Sequence, residues 1–428
     1  MKIEKITIRN FRCFECESVE FDERLTILIG KNGAGKSAVL DAATIAAGSL
    51  LAELHTAQAS INKDDVRIVC HALGSGMDVQ PQYPVEIETQ ACLAGEQVRW
   101  SRILRSSSGR TAFSGAERFK KLAHTYTERV QKGDAHLVLP VISYYGTGRI
   151  WAQKRAKRKA INLDKTFRLN GYLDSLEAEA NDKLMLGWFL KMTLRDLQTG
   201  KPSPEFAAVR HAMEQIFQSL TGCKDVQVRL NLDTQEIEVQ YTRTDGSPQV
   251  ISLNQLSDGY KSAISLIADI AYRMATLNPQ LLDRVTEETH GIVLIDEVDL
   301  HLHPAWQHRI LDDLLRIFPK VQFIVSTHAP AIVHSARTGR LIILNNGVVD
   351  SVSKQVYGKD ANYVLTEVMT ASSRPAEIQA KFNEYHRCMD REAWGEAENV
   401  LNELADIIGE DDAELAGCRM ELNLEQIP

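Results

Sequence analysis

The stretch GKNGAGKS at residues 30–37 is entered from the apolar run LTILI at 25–29 and left through SAVLDAA at 37–43. It matches G-x-x-x-x-G-K-[ST] between a buried strand and a helix, the setting in which this pattern wraps phosphate. Glycines at 30, 33 and 35 let the backbone curl until successive N–H groups point inward, and the helix start adds its partial positive charge. Gly30, Lys31, Asn32, Gly33, Ala34 and Gly35, with Lys36, Ser37 and Ala38 opening the helix, form the candidate binding set. Lys36 is expected to reach the β- and γ-phosphates of a nucleotide and the Ser37 hydroxyl to ligate Mg²⁺. The bland alternative is a glycine-rich turn that fits by chance. The strand before, the helix after and a second group of motifs weigh against it.

That second group begins some two hundred residues on. LSDGYKS at 256–262 precedes an amphipathic helix, so Ser257, Asp258 and Gly259 would stand at a helix start, offering a hydroxyl and an N–H to phosphate. GIVLIDEVDLHLHP at 291–304 reads as a buried strand ending in Asp296 and Glu297. One carboxylate at such a tip suits the Mg²⁺ shell, and a second beside it can orient and deprotonate a water; the bland reading is an acidic strand end. VQFIVSTH at 321–328 places His328 at the end of another strand, where a lone histidine would ordinarily be a core residue.

Composition bounds the class. The 428 residues are 44% hydrophobic and 25% charged, as in ordinary globular proteins, and exceed what one core usually supports. MKIEKITIRNF lacks a signal-peptide pattern and the apolar runs are too short to span a bilayer, so no membrane role of its own is expected. Seven cysteines without disulfide-like spacing fit a reducing cytoplasm, and Cys13 and Cys16, a C-x-x-C without a second pair, read as strand residues. Residues 371–428 hold 14 acidic and 5 basic residues, a net −9 in a chain of −8, so the charge is concentrated in the tail.

In chain order, short strands around residues 3–8, 19–21 and 25–29 lead to the phosphate loop, and the connecting NFRCFE puts Arg12 near where a nucleotide would sit. Residues 83–90 and 97–104 read as an antiparallel hairpin. LVLPVISY at 137–144 leads into YYGTGRIWAQ and the basic run KRAKRK, whose Lys154, Arg155, Lys157, Arg158 and Lys159 are either a solvated helix face or a phosphate-backbone contact. From about 171 to 222 the pattern is helical, with Leu184, Leu186, Phe189, Leu190, Leu194 and Leu197 on one broad face. A three-strand meander follows to about 252, and a last strand pair near 341–354. The tail reads as amphipathic helices through Ile378, Phe382, Tyr385 and Met389 and through Ala397, Val400, Leu401, Leu404, Ile407 and Ile408, then a third from about 412 to 424.

Phosphate loop, LSDG, strand-DE with Asp299 following, and strand-STH, in that order, resemble the ATP-binding-cassette ATPase head. IRNFRCFE and DEVDLHLHP are similar to the wording of its Rad50/SMC/OLD branch. The resemblance implies an α/β P-loop NTPase head with a mixed sheet, an antiparallel β subdomain and a helical lobe near 145–222. The head would cover 1–354 and an all-helical acidic appendage 355–428. It makes Asp296 the Mg²⁺-shell residue, Glu297 the general base, Asp299 the D-loop residue and His328 the γ-phosphate switch, and it sets Ser257 and Gly259 on ATP held by a second subunit. Gln153 or Arg149 would fill the Q-loop. LSDGY departs from the transporter LSGGQ.

YYGTGR with the acidic helical tail also resembles the ATPase subunits of Septu-type and retron-associated phage defence, which implies a separately encoded HNH nuclease as partner. On that expectation the tail is a docking module, with Phe382, Tyr385, Leu401 and Leu404 supplying affinity; the alternative is that its faces pack on the ATPase. A RecF-like DNA-repair ATPase is the competing function. A stand-alone nuclease would need metal-binding or nucleophilic residues that are not evident after residue 354.

Overall fold

The computed structural model describes residues 1–57, 59–73, 76–93, 95–149, 167–177, 182–352, 356–369, 372 and 374–425. They fall into two compact units, Met1–Lys359 and Asp360–Pro428, so the division lies five residues beyond position 354.

The first unit is built on a six-stranded sheet in the order Val348–Val352, Arg340–Asn345, Leu25–Gly30, Val321–Ser326, Gly291–Ile295, Val141–Tyr145. Every neighbouring pair is parallel except the first. Leu25–Gly30, Val321–Ser326 and Gly291–Ile295 are buried at every position, which is why they read as unbroken apolar runs rather than as alternation. Parallel register brings the ends of four strands to one edge, where the phosphate loop, Asp296, the residues after Ser326 and those after Tyr145 all leave the sheet.

The helix Lys36–Glu53 leaves the phosphate loop and runs between this sheet and a second, five-stranded one containing Lys2–Phe11, Phe14–Glu20, Val85–Leu93, Glu96–Leu104 and Ala112–Ser114. Covered on both sides, it is apolar nearly all round. Trp100 Nε1 donates to the buried Ser49 Oγ at 3.2 Å, and at Gly48 a β-carbon would lie 2.7 Å from Leu176. The two sheets are also joined at Gln322, whose side-chain amide accepts from Ile3 N at 2.8 Å and donates to Ile3 O at 2.7 Å, as a neighbouring strand would.

Helices Asp182–Thr199 and Pro204–Thr221 form the helical lobe, followed by the meander Lys224–Asn231, Glu236–Thr242, Pro248–Ser252. The first helix corrects the sequence expectation. Its buried stripe is Met185, Phe189 and Met192, whereas Leu194 and Leu197 are 50% and 64% exposed. Residues 185, 189 and 192 keep the i, i+4, i+7 spacing of one face; Leu186, Leu190, Leu194 and Leu197 keep an equally regular i, i+4, i+8, i+11 spacing on another, which the structure leaves half-buried to exposed. Cys13 lies in the turn before Phe14–Glu20, with only Cys16 on the strand; all seven cysteines are free. Helix Ala116–Gln131 and the hairpin Ile68–Leu73 with Gly76–Pro81 were not anticipated, although Phe119, Ala123 and Tyr126 give that helix a readable buried face.

The second unit carries helices Ala376–Asp390, Trp394–Ile408 and Ala413–Glu425, the last capped by Asp412, whose carboxylate accepts from Glu414 N and Leu415 N. Ile378, Phe382, Tyr385, Ala397, Leu401, Leu404, Leu415 and Cys418 form one core, and Tyr385 Oη donates to Cys418 O at 2.8 Å. This corrects one part of the docking expectation, that Phe382, Tyr385, Leu401 and Leu404 supply a partner's affinity: they are spent on one another. Three helices supply enough mutually facing apolar surface to close a small core without a partner.

Candidate functional site

Gly30, Gly33 and Gly35 all have positive φ. At Gly30 a β-carbon would lie 2.4 Å from Leu344 O, and at Gly35, with φ of 110°, 2.6 Å from the Phe14 ring. The neighbouring strand and the turn at residues 12–14 thus leave no room for a side chain at Gly30 or Gly35, and at Gly33 the requirement is the positive φ of 79° alone. Lys36 is nearly buried, and its ammonium donates to Gly30 O at 2.9 Å and Lys31 O at 3.1 Å, folding back over its own loop. Burial lowers the Lys36 pKa, and the carboxylates of Asp296, Glu297 and Asp299 oppose that shift. One cation therefore faces three anions, and the curled loop adds the partial charge of its helix start.

Parallel pairing delivers Asp296 to this loop. Its N–H donates to Tyr145 O at 2.8 Å, and its carboxylate accepts from Ser37 Oγ at 2.7 Å and from Ser326 Oγ. Ser326 also accepts from Glu297 N at 2.8 Å, so one hydroxyl orients both members of the acidic pair. Glu297 adopts a φ of 48°, a left-handed conformation that costs on the order of 1–3 kcal/mol in a residue with a β-carbon. The bond to Ser326 and the adjoining Val298 N to Ser326 O contact of 2.9 Å hold it there. Thr327 Oγ1 donates to Asp299 Oδ1 at 2.5 Å and accepts from Ala329 N at 3.0 Å, bracketing His328. Half-burial and then the charge of Lys36 lower the His328 pKa, which favours the neutral ring at neutral pH. Sequence reasoning singled out Asp296, Glu297 and His328 but missed the orienting roles of Ser326 and Thr327, whose only signal was their place in STH.

Arg12 lies beside the loop helix with its guanidinium between two carboxylates, 2.6 Å from Asp41 and 2.8 Å from Asp65. Asp41 also bonds the Tyr144 hydroxyl, whose pKa is raised by burial first and then by Asp41 and Asp296. Neither Asp41 nor Asp65 was singled out as a site residue from the sequence, and Tyr144 only as the first residue of YYGTGR.

Ser257 and Asp258 are exposed and belong to a different element, the helix Asp258–Leu277, where Ser257 is the N-cap yet makes no side-chain capping bond. Gly259 is buried. A β-carbon there would meet His301 O at 2.5 Å and Trp306 at 3.1 Å, so this helix start packs on the chain just after the acidic pair. The basic residues Lys154, Arg155, Lys157, Arg158 and Lys159, and Gln153, lie outside the described residues; Arg149 ends the short turn Thr147–Arg149. Among the described residues no three His, Cys, Asp or Glu side chains gather as a metal cluster, and no helix is long and apolar enough to cross a membrane.

The donor set fits a nucleotide triphosphate with a hard cation: a glycine loop closed to side chains at Gly30 and Gly35, an ammonium, and a hydroxyl already paired with a carboxylate. Comparison with known proteins bears on the same stretch. The family described as an AAA domain matches residues 5–238, and one described as an AAA ATPase domain matches 154–333. The chain is 25% identical to the retron Ec83 probable ATPase of Escherichia coli, covering 99% of this chain and 86% of that one. It is 26% identical to the retron Vc95 probable ATPase of Vibrio cholerae serotype O1 biovar El Tor, covering 90% and 84%. Over 22% of its length it is 39% identical to the Septu protein PtuA of Bacillus thuringiensis, covering 24% of that chain. Among solved structures, the SMC head domain from Thermotoga maritima aligns with a TM-score of 0.48 and 16% identity, covering 83% of this chain and 100% of that one. With the phosphate loop and the acidic pair assembled at one sheet edge and the AAA domain matched over more than half its length, the chain belongs to the AAA domain family and is an ATPase.

Proposed function

We propose that this ATPase closes as a pair of heads around ATP and Mg²⁺, hydrolyses ATP, and thereby controls a nuclease partner, an HNH enzyme, in a retron- or Septu-type defence system. The observation that carries the pairing is Ser257: exposed at a helix start, with no capping bond, on an element other than the phosphate loop. A second copy's γ-phosphate supplies the anion that such a helix start accepts.

Within each site Lys36 binds the β- and γ-phosphates, and Ser37 with Asp296 would hold the cation, which neutralises phosphate charge. Glu297 takes a proton from water as its oxygen attacks the γ-phosphorus and the bond to the ADP oxygen breaks; His328 donates to the γ-phosphate. The defence role rests on the retron and Septu relatives. The partner is a separate chain, and the acidic unit 360–428 is the candidate to meet it through charge rather than through its core.

Mixing Lys36→Ala and Ser257→Arg subunits, each inactive alone, tests the pairing. In a mixed pair one composite site keeps both intact halves, so ATPase activity is expected to return; no recovery at any ratio refutes the shared site. Co-purification with an HNH nuclease from the same operon tests the partner, and retention on DNA ends with no such nuclease favours the repair reading.

A further inference from the structure

Tyr145 touches two parts of the ATPase with its two ends. Its carbonyl accepts from Asp296 N at 2.8 Å, at the root of the acidic pair. Its hydroxyl donates to Asp269 Oδ2 at 2.7 Å, about three turns into the helix that begins after Ser257. Asp269 also accepts from Arg273 Nε at 2.6 Å, and Arg273 Nη1 donates to Gly171 O at 3.1 Å and Leu173 O at 2.8 Å. All three side chains are buried. The turn they reach is packed hard on the same helix: a β-carbon on Gly171 would lie 2.6 Å from Leu277 and 3.0 Å from Arg273 O. Tyr144 N donates to Ser175 O at 2.8 Å, closing the loop back onto the strand.

A buried ion pair is a poor device for stability, because desolvation offsets much of its attraction, and apolar residues commonly serve as well. What it does supply is one allowed register between the elements it joins. Within the network Asp269 Oδ2 accepts from both Tyr145 and Arg273, and the guanidinium spans Asp269 and two backbone carbonyls, so the three side chains fix one another's positions.

We infer that Tyr145, Asp269 and Arg273 lock the helix bearing Ser257 to the strand edge bearing Asp296, so that Tyr145 is a positioning residue for the step in which one copy's Ser257 reaches nucleotide on the other. This rests on the shared-site reading above. The lock makes the presentation of Ser257 depend on the same backbone that places the acidic pair, and it acts on joining rather than on nucleotide capture, which belongs to the phosphate loop.

The test uses the full chain with Glu297→Gln, with ATP-driven pairing followed by sedimentation and ATP affinity measured under dilute, unpaired conditions. Adding Tyr145→Phe removes one hydroxyl and keeps the ring. Pairing is expected to weaken about tenfold, as loss of a hydrogen bond to a charged group does, with ATP affinity of the single copy unchanged. On the otherwise native chain the same change lowers kcat about tenfold at constant KM. Asp269→Leu with Arg273→Met, which removes both charges together, serves where Tyr145→Phe does not fold and is expected to give the same split. Unchanged pairing and kcat, or a loss of ATP affinity equal to the loss of pairing, overturns the lock. If Glu297→Gln alone forms no ATP-dependent pair, the shared-site reading fails and the inference falls with it.

Discussion

Ser37 Oγ donates to Asp296 Oδ2 at 2.7 Å, joining the phosphate loop to the tip of strand Gly291–Ile295 across 259 positions of sequence. Both are oxygens of the kind a hard cation would take, so on the proposed function Ser37 and Asp296 would hold it together. Asp296→Asn exchanges one acceptor for a donor facing Ser37 and Ser326. Loss of a charge-assisted bond of about 1.5–3 kcal/mol is expected to cut Mg²⁺-dependent ATPase by at least about tenfold. A Mg²⁺ titration of hydrolysis that superimposes on the native one rules out this role.

Glu297→Gln is expected to retain ATP binding and slow turnover by about 10²–10⁴-fold, the usual range for loss of a general base. The amide is nearly isosteric, and the left-handed backbone held by Ser326 does not depend on the charge. Native turnover in this variant would exclude Glu297 as the base.

The pH dependence of stability has an identifiable source in His290, whose pKa is lowered to about 4, chiefly by burial. The unfolded chain takes up a proton near pH 6.5 that the folded chain refuses until about pH 4. Stability is therefore intact above about 6.5 and falls as pH drops through that window, by about 2 kcal/mol between pH 7 and 5. Urea unfolding at the two pH values measures it. His290→Gln should show a shallower pH slope, and an identical slope would remove His290 from the account.

Residues 360–428 are expected to fold alone, since their core is internal. Leu401→Ala should cost about 2–5 kcal/mol, enough to unfold a unit of this size. Circular dichroism of the isolated segment decides the matter: a non-helical segment refutes independent folding. Removing it from the full chain should leave ATP hydrolysis largely intact, because every residue of the candidate site described above lies at or before His328.

The basic run at 154–159 makes a separate prediction about nucleic acid. If its five cations touch phosphate, replacing them with alanine should flatten the salt dependence of binding by roughly one unit per lost contact. Equal affinity and slope would return the run to a solvated face.

Sequence alone determined the phosphate loop, the acidic pair and the order of the motifs, because each depends on local geometry: a strand, a tight glycine turn, a helix start. It also determined the core strands, whose burial on both faces leaves no alternation to misread. The helix at 182–199 was harder, since the leucine stripe 186, 190, 194, 197 and the stripe Met185, Phe189, Met192 are equally regular until packing selects the second. Only the tertiary structure decided the rest. Ser326 and Thr327 acquire their roles by lying one strand away from Asp296 and Asp299 in a parallel register, a relation no local pattern encodes. The Tyr145, Asp269 and Arg273 network joins residues over a hundred positions apart. In the tail the periodicity marked apolar faces correctly, but whether a face meets a partner or another helix depends on the distance between helices, and here the three helices close on one another.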